Sequence, residues 1–287
     1  MVVLWVWSRM RSAPAHKMKT GSAYLNKLPM VTGLFWAIKI VATTLGESVS
    51  NYFAITPLKL GYAVSAGIFV VMFAVALIVQ MKADRFRPAV FWSVILATSI
   101  LGTSVSDLMN RTFHLGYTGG FTVLTTMLIV ALVVWRLTGQ EMNVERIDSF
   151  KGEMLYWLAT LISNTLGTSS GDFMSHSLRL GFRASSLVLI VAMLLILAAH
   201  HRTTINATVL FWIAYVLTRP LGAVAENAVE KPKVEGGLGI GTTVTSMVLL
   251  AMLVAGVAYQ TYTMRRADAD DGAAPTVGLP VTPVAAR

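Results

Sequence analysis

Leu101-Gly102-Thr103-Ser104-Val105-Ser106-Asp107 and Leu166-Gly167-Thr168-Ser169-Ser170-Gly171-Asp172 are nearly the same sentence written twice. Each follows an aromatic-Trp pair, Phe91-Trp92 and Tyr156-Trp157, and the frame occurs twice more. Phe35-Trp36 precedes Leu45-Gly46, and Phe211-Trp212 precedes Leu221-Gly222; the Trp-to-Gly distance is ten residues in all four. Five residues beyond each Gly stands Asn51, Asp107, Asp172 or Asn227. A second glycine then opens the next apolar stretch, at Gly61, Gly116, Gly181 and Gly239. Self-similarity at a fixed period marks a repeat architecture. Each unit reads as a helical hairpin with a polar odd helix and an apolar even one. Units one and two lie 56 residues apart and units three and four 55, with 65 between the pairs. The extra length is a charged loop over 140–153, which predicts a duplicated pair of hairpins arranged parallel about an axis along the membrane normal.

Composition sets the solvent. The 287 residues are 55% hydrophobic and 13% charged, with a mean hydropathy of +0.66. A soluble domain carries about a quarter charged residues. Apolar windows fall at 28–46 (interrupted only by Lys39), 61–81, 88–106, 112–135, 154–171, 184–199, 203–218 and 236–264. Each approaches the roughly 20 residues a spanning helix needs, and none alternates as a barrel strand does. The expected fold is therefore an all-α integral membrane protein of eight transmembrane helices in four hairpins. Polar odd helices gather inside, because they cannot face lipid, and apolar even helices surround them. The divisions expected are a cytoplasmic segment 1–27, hairpins one and two over 28–137, the cytoplasmic loop 138–152, hairpins three and four over 153–265, and a disordered tail 266–287.

The net charge of +9 falls at the ends of apolar runs, not in a basic domain, which excludes a nucleic-acid partner. Fifteen Lys and Arg lie on the side of the termini and the loops after the even helices; six, including Arg111, Arg179 and Lys231, lie opposite. The positive-inside rule then puts both termini in the cytoplasm. The apolar run 1–7 precedes the first charges and is too short to span, so Met10 and Met18 compete with Met1 as the start. Zero Cys excludes disulfides and thiolate chemistry. Trp36, Trp92, Trp157 and Trp212 read as interface anchors. His114, His176, His200 and His201 read as interfacial, and the glycine-rich run 236–241 follows no strand, so it is no dinucleotide site.

The polar clusters carry whatever function there is. Lys39, Thr43, Glu47 and Asn51 lie along one face of the first odd helix. Thr103, Ser104 and Asp107 lie on the second, Thr168, Ser169 and Asp172 on the third, and Arg219, Glu226 and Asn227 on the fourth. Ionisable groups inside a membrane are costly and mark pathways or proton relays. Four acids against Lys39 and Arg219 leave a formal −2. Oxygen donors without thiols favour Mg²⁺, Mn²⁺ or Ca²⁺, with Glu47, Asp107, Asp172 and Glu226 as the candidate metal ligands. The mid-cluster glycines, with Pro220, are expected to loosen the helices where carbonyls would hold an ion.

Lys27-Leu28-Pro29 with Phe35-Trp36, Lys39, Thr43-Thr44 and Gly46-Glu47 resembles the start of a bacterial family known as "uncharacterised membrane-anchored protein". The two Leu-Gly-Thr-Ser motifs with their Asp, and Thr218-Arg219-Pro220-Leu221-Gly222, resemble its later motifs over about residues 26–265. The resemblance implies a polytopic bacterial inner-membrane protein and no particular activity. Asn51 and Asn227 stand where its pattern has Asp.

The expected function is transport or channelling of a small hard cation, with a divalent metal such as Mn²⁺ and proton coupling both open. No resident cofactor and no catalytic residue is expected. The partners are the lipid bilayer and the ion, and oligomeric state is open. The alternative is a non-transporting scaffold whose polar helices only pack. An aspartyl protease built on Asp107 and Asp172 is the weakest reading, because repeat symmetry already explains the two positions.

Overall fold

Four long polar helices begin where the sequence supplies a stop for their free N–H groups. Thr32 Oγ1 accepts from Phe35 N at the start of α1 (Gly33–Ala54). Pro88 takes the first position of α3 (Pro88–Asp107). Ser149 accepts from Gly152 N at α5 (Phe150–Asp172), and Asn206 from Thr208 N at α7 (Ala207–Glu230). Between them run α2 (Tyr62–Met81), α4 (Gly116–Leu137), α6 (Gly181–Arg202) and, last, α8 (Thr242–Gly272). The computed structural model describes residues 27–147 and 149–272, and among them there are eight α-helices and no strand. Most of the expected segment 1–27 and residues 273–287 lie outside the described residues.

Two boundaries differ from the apolar windows for one reason. α1 runs eight residues past Gly46, and α7 twelve past Thr218, because both continue through acids that are buried. A charge ends an apolar window but not a helix. The expected disordered tail also begins too early, since α8 is helical to Gly272.

The odd helices form a closed ring: α1 packs on α3, α3 on α5, α5 on α7, and α7 back on α1. The even helices do not cover their own hairpin partners. α2 packs chiefly on α3, α4 on α5, α6 on α7, and α8 returns to α1. Phe69 of α2 meets Ile100 and Leu101; Leu124 and Leu128 of α4 meet Leu166; Leu189 of α6 meets Leu221 and Val224. Gly256 of α8 faces Ile38 of α1, which completes the circle. Each repeat therefore lends its outer helix to the next, and no hairpin buries its apolar face alone.

The glycines of the four Leu-Gly pairs are contact points in this ring. A Cβ on Gly46 would strike Ser99; on Gly102, the backbone of Asn164 and Thr165; on Gly167, Arg219; on Gly222, Thr43 and Thr44. They do not loosen the helices as expected, and α7 also stays helical through Pro220. Small residues here let backbones approach closely, as in packed helices in lipid.

The expected interface Trp belt is also corrected. Trp92, Trp157 and Trp212 are buried and Trp36 half-buried. The aromatic of each repeat touches the Trp of the next: Phe35 with Trp92 at 5.5 Å, Phe91 with Trp157 at 5.7 Å, Tyr156 with Trp212 at 6.2 Å, and Phe211 with Trp36 at 5.6 Å. These separations suit edge and tilted ring contacts. The Trp ends of the four odd helices are thus closed by a ring of aromatics.

At the other end, three inter-helix turns share a pattern. Lys59, His114 and Arg179 have φ of 55–56°, and Gly61, Gly116 and Gly181, two residues later, are also left-handed. Repeat four has Gly239 at the first of these positions and Gly241 at the second, so Gly241, not Gly239, is its helix-opening glycine.

Among the described residues six helices are long and apolar enough to cross a membrane: α2, α3, α4, α6, α7 and α8. α1 and α5 match them in length, at 22 and 23 residues, but carry more polar side chains.

Candidate functional site

Because the odd helices are parallel and in register, residues at equal distance from the Leu-Gly glycine form layers across the ring. Above the aromatic ring lies the layer of Lys39, Ile95, Thr160 and Tyr215. Lys39 Nζ is buried, sits 4.0 Å from the centre of the Tyr215 ring, and has no hydrogen-bond partner. Tyr215 Oη contacts Tyr156 Oη and Thr160 Oγ1, each at 3.2 Å.

Arg219 dominates the middle. From the layer it shares with Thr43, Ser99 and Asn164, its Nη2 reaches Glu47 Oε2 at 3.0 Å and Thr168 Oγ1 at 3.0 Å, and also contacts Thr103 Oγ1. It donates to the carbonyls of Thr43 and Ser99, both at 3.2 Å. Thr103 and Thr168 donate to the same Glu47 oxygen at 3.0 and 3.1 Å. All four repeats contribute to this knot: α1 the carboxylate, α3 and α5 hydroxyls, α7 the guanidinium. Such a pair persists only when its groups are hydrogen-bonded; Glu47 Oε2 and both Arg219 Nη atoms are, while Arg219 Nε is buried without a partner.

Beyond it come hydroxyl pairs. Ser50 meets Ser104 at 2.7 Å and Ser106 meets Ser169 at 2.7 Å, with Asn110 donating to Ser169 at 2.9 Å. Then the acids divide. Asp107 and Asp172 share Arg111, whose Nε is 2.8 Å from Asp107 Oδ1 and whose Nη2 is 3.9 Å from Asp172 Oδ2. Arg111 lies on a π-helical turn, Leu108–Thr112, that follows α3, between the rings of Tyr62 and Tyr117. Asp172 Oδ2 has no hydrogen bond although its residue is 7% exposed. On the other side of the ring Asn51 Nδ2 donates to Glu226 Oε1 at 3.4 Å. Asn227 turns back to the Ala223 carbonyl at 3.0 Å.

The site residues expected from sequence are therefore gathered, but in three groups. Glu47, Thr103, Thr168 and Arg219 meet on the axis; Asp107 meets Asp172; Asn51 meets Glu226. Thr43 contributes its carbonyl, Ser104 and Ser169 join the hydroxyl pairs, and Lys39 stands apart. The four acids do not share one ion: among the described residues no three His, Asp or Glu side chains are placed to hold a metal. Their heights explain it. Glu47 is one residue past its glycine and Asp107 five past, so about 6 Å of helix rise separates them. Sequence reasoning missed Arg111 and Glu230, although each lies four residues after an acid already singled out, on the same helical face.

This is an all-helical protein built of four repeats. The chain belongs to the family described as Repeat of Unknown Function (DUF347), which matches at residues 34–86, 90–141, 155–206 and 210–266. Neither the curated proteins nor the solved structures contain a significant match to it.

Proposed function

We propose that this is a multi-pass membrane protein of the bacterial inner membrane, with all eight helices spanning and both termini cytoplasmic, that carries a small hard cation through its polar core. Support for the eight spans comes from α1 and α5 being enclosed by the other helices, so that their polar side chains need not meet lipid. The positive-inside count supports the orientation.

One observation carries the cation reading: the buried charges do not balance. Glu47, Asp107, Asp172, Glu226 and Glu230 are five acids at most 8% exposed, whereas the basic side chains among them are Lys39, Arg111 and Arg219. Uncompensated carboxylates at membrane depth are expensive and are retained where a cation or proton completes them. The donors are all oxygens, paired as Asp107 with Asp172 and Glu226 with Glu230, which suits Na⁺-like or Mg²⁺-like ions rather than soft metals. Binding is tested by thermal unfolding of the purified protein in Na⁺, K⁺, Mg²⁺ and Mn²⁺. A ligand that binds only the native state raises its stability by mass action. One cation should raise the midpoint of the parent and lose that effect in Asp172→Asn; equal response to all four, or to none, refutes the reading.

A second reading has its own support. The axis is filled by Arg219, Glu47 and two threonines, as a scaffold that never opens would have it. In that case Asp172→Asn alters stability and no cation response.

A further inference from the structure

A groove of about 620 Å³ runs down the outside of the bundle between α3 and α8, from Leu250 to Arg265 of α8. Its floor on α3 is lowered by two small residues, Ala89 and Ser93. Units three and four carry Met154 and Leu158, and Val209 and Ile213, at the same two positions. On the other side of Ala89 and Ser93 a smaller groove of about 270 Å³ lies against Ala76 and Val79 of α2. One ridge of α3 is thus flanked by two apolar beds.

The larger groove satisfies its own uncharged polar groups. Ser93 Oγ donates to the Ala89 carbonyl at 2.8 Å, Thr261 Oγ1 to that of Val257 at 2.8 Å, and the Trp92 indole to Gln260 Oε1 at 2.7 Å. Arg265 is different: it lines the end of the groove and forms no ion pair among the described residues. Lys82, Arg85 and Arg87, in the turn that leads from α2 to Ala89, are exposed and likewise unpaired. α3 starts there with no side-chain cap on its first N–H groups, so the positive end of its dipole adds to the same charge. Against these stand Asp84 in the same turn and Asp268, Asp270 and Asp271, a turn or more beyond Arg265.

The length of the groove is that of one leaflet. Leu250 to Thr261 is eleven residues of helix, about 16 Å, against half of a hydrocarbon core of about 30 Å. Tyr262 and Arg265 then fall at headgroup level, where an amphipathic ring and a cation are at home. An occupant that fits is apolar over a leaflet's depth, two-stranded, and negative at one end.

We propose that the two grooves hold one anionic phospholipid of the leaflet at the Trp end, with an acyl chain in each groove and the headgroup phosphate between Arg265 and the α2–α3 turn. Basic pockets between spanning helices bind such headgroups. Unit one also has small residues at the two floor positions, Gly33 and Ala37, but Ile205 stands at the place of Arg265 on its flanking segment. The combination of small floor and basic rim is therefore peculiar to unit two. The proposal rests on the spanning of the membrane by α3 and α8, and is independent of cation carriage.

Thermal unfolding of the full chain in mild detergent tests it, with phosphatidylglycerol or phosphatidylcholine titrated into the micelles and native mass spectrometry counting the lipid retained. Phosphatidylglycerol should raise the midpoint more than phosphatidylcholine does, with one molecule retained. Arg265→Gln should raise its half-saturating concentration about fivefold, the roughly 1 kcal/mol that one basic residue contributes at an anionic surface. Ser93→Phe fills the groove from an exposed position, keeps every charge, and should abolish the preference. Arg202→Gln, at the end of α6, should leave it intact, and glycerol phosphate, which has no acyl chains, should not raise the midpoint. The proposal is overturned by equal stabilisation from the two lipids, by a preference that survives Arg265→Gln or Ser93→Phe, by an equal loss in Arg202→Gln, or by a glycerol phosphate response matching that of the lipid. A chain released from membranes by alkaline carbonate would overturn the spanning reading as well. A chain that stays inserted and shows no phosphatidylglycerol preference refutes the lipid site alone.

Discussion

Arg219 Nη2 stands 3.0 Å from Glu47 Oε2, joining the fourth repeat to the first across the bundle axis. Both residues are buried, and removing one partner of such a pair strands the other charge, at a cost of about 3–5 kcal/mol. Glu47→Gln and Arg219→Met should each lower the unfolding midpoint in detergent sharply. The double variant should be more stable than the two single losses added together. Singles that unfold with the parent would show that the contact bears no load.

Gly102→Ala tests the ring contact at its tightest backbone approach. The new methyl would lie 2.9 Å from the Asn164 carbonyl carbon and the Thr165 nitrogen, neither of which can rotate away. Overpacking of this kind costs about 1–3 kcal/mol. Gly67→Ala on α2, where a Cβ meets nothing within 4 Å, is the control and should not destabilise. Equal behaviour of the two variants in thermal unfolding would contradict the close-packing role.

The aromatic ring makes a graded prediction. Trp157 is 1% exposed and touches Phe91 and Tyr156, so Trp157→Ala should cost about 3–5 kcal/mol. Trp36, half-buried, should cost clearly less. Calorimetric midpoints in one detergent give the comparison, and a reversed order would return the Trp residues to the membrane interface.

How much of this was legible in the sequence follows from what a periodic pattern encodes. The fixed Trp-to-Gly spacing establishes four equivalent units and their polar faces, because it repeats within each chain segment. It does not say which neighbour a unit packs on. That α2 covers α3 rather than α1 is a choice between tertiary partners, and Phe69 looks alike in either case. The burial of Trp92 and the close packing at Gly102 were misread for that reason. Gly102 packs against the next repeat and Trp92 against the ring of Phe35 in the preceding one. The ends of α1 and α7 were hidden by Glu47, Arg219 and Glu226, charges that the sequence shows and whose partners it does not. Glu230 was passed over because it abuts Lys231 and Lys233 and so reads as part of a solvated loop.

Arg111 occupies the space between Asp107 and Asp172 as a tethered cation. Replacing it by Gln leaves two carboxylates facing one another with no base, which a free cation would relieve. Arg111→Gln should therefore unfold at a lower temperature than the parent in cation-poor buffer. It should also gain more from added Na⁺ or Mg²⁺ than the parent does. A variant whose response to both salts equals the parent's would remove the paired aspartates from any cation site.

The most direct trial is flux. Reconstituted into liposomes with an inward cation gradient, the parent should pass the one cation that stabilises it, faster than empty vesicles do. Glu47→Gln and Asp172→Asn, shown to be folded and inserted, should reduce that flux at least tenfold, about 1.4 kcal/mol at the rate-limiting step. Parent vesicles no more permeable than empty ones to Na⁺, K⁺, Mg²⁺ or Mn²⁺, or variants that conduct like the parent, would contradict a pathway through these carboxylates and leave a sealed four-repeat scaffold.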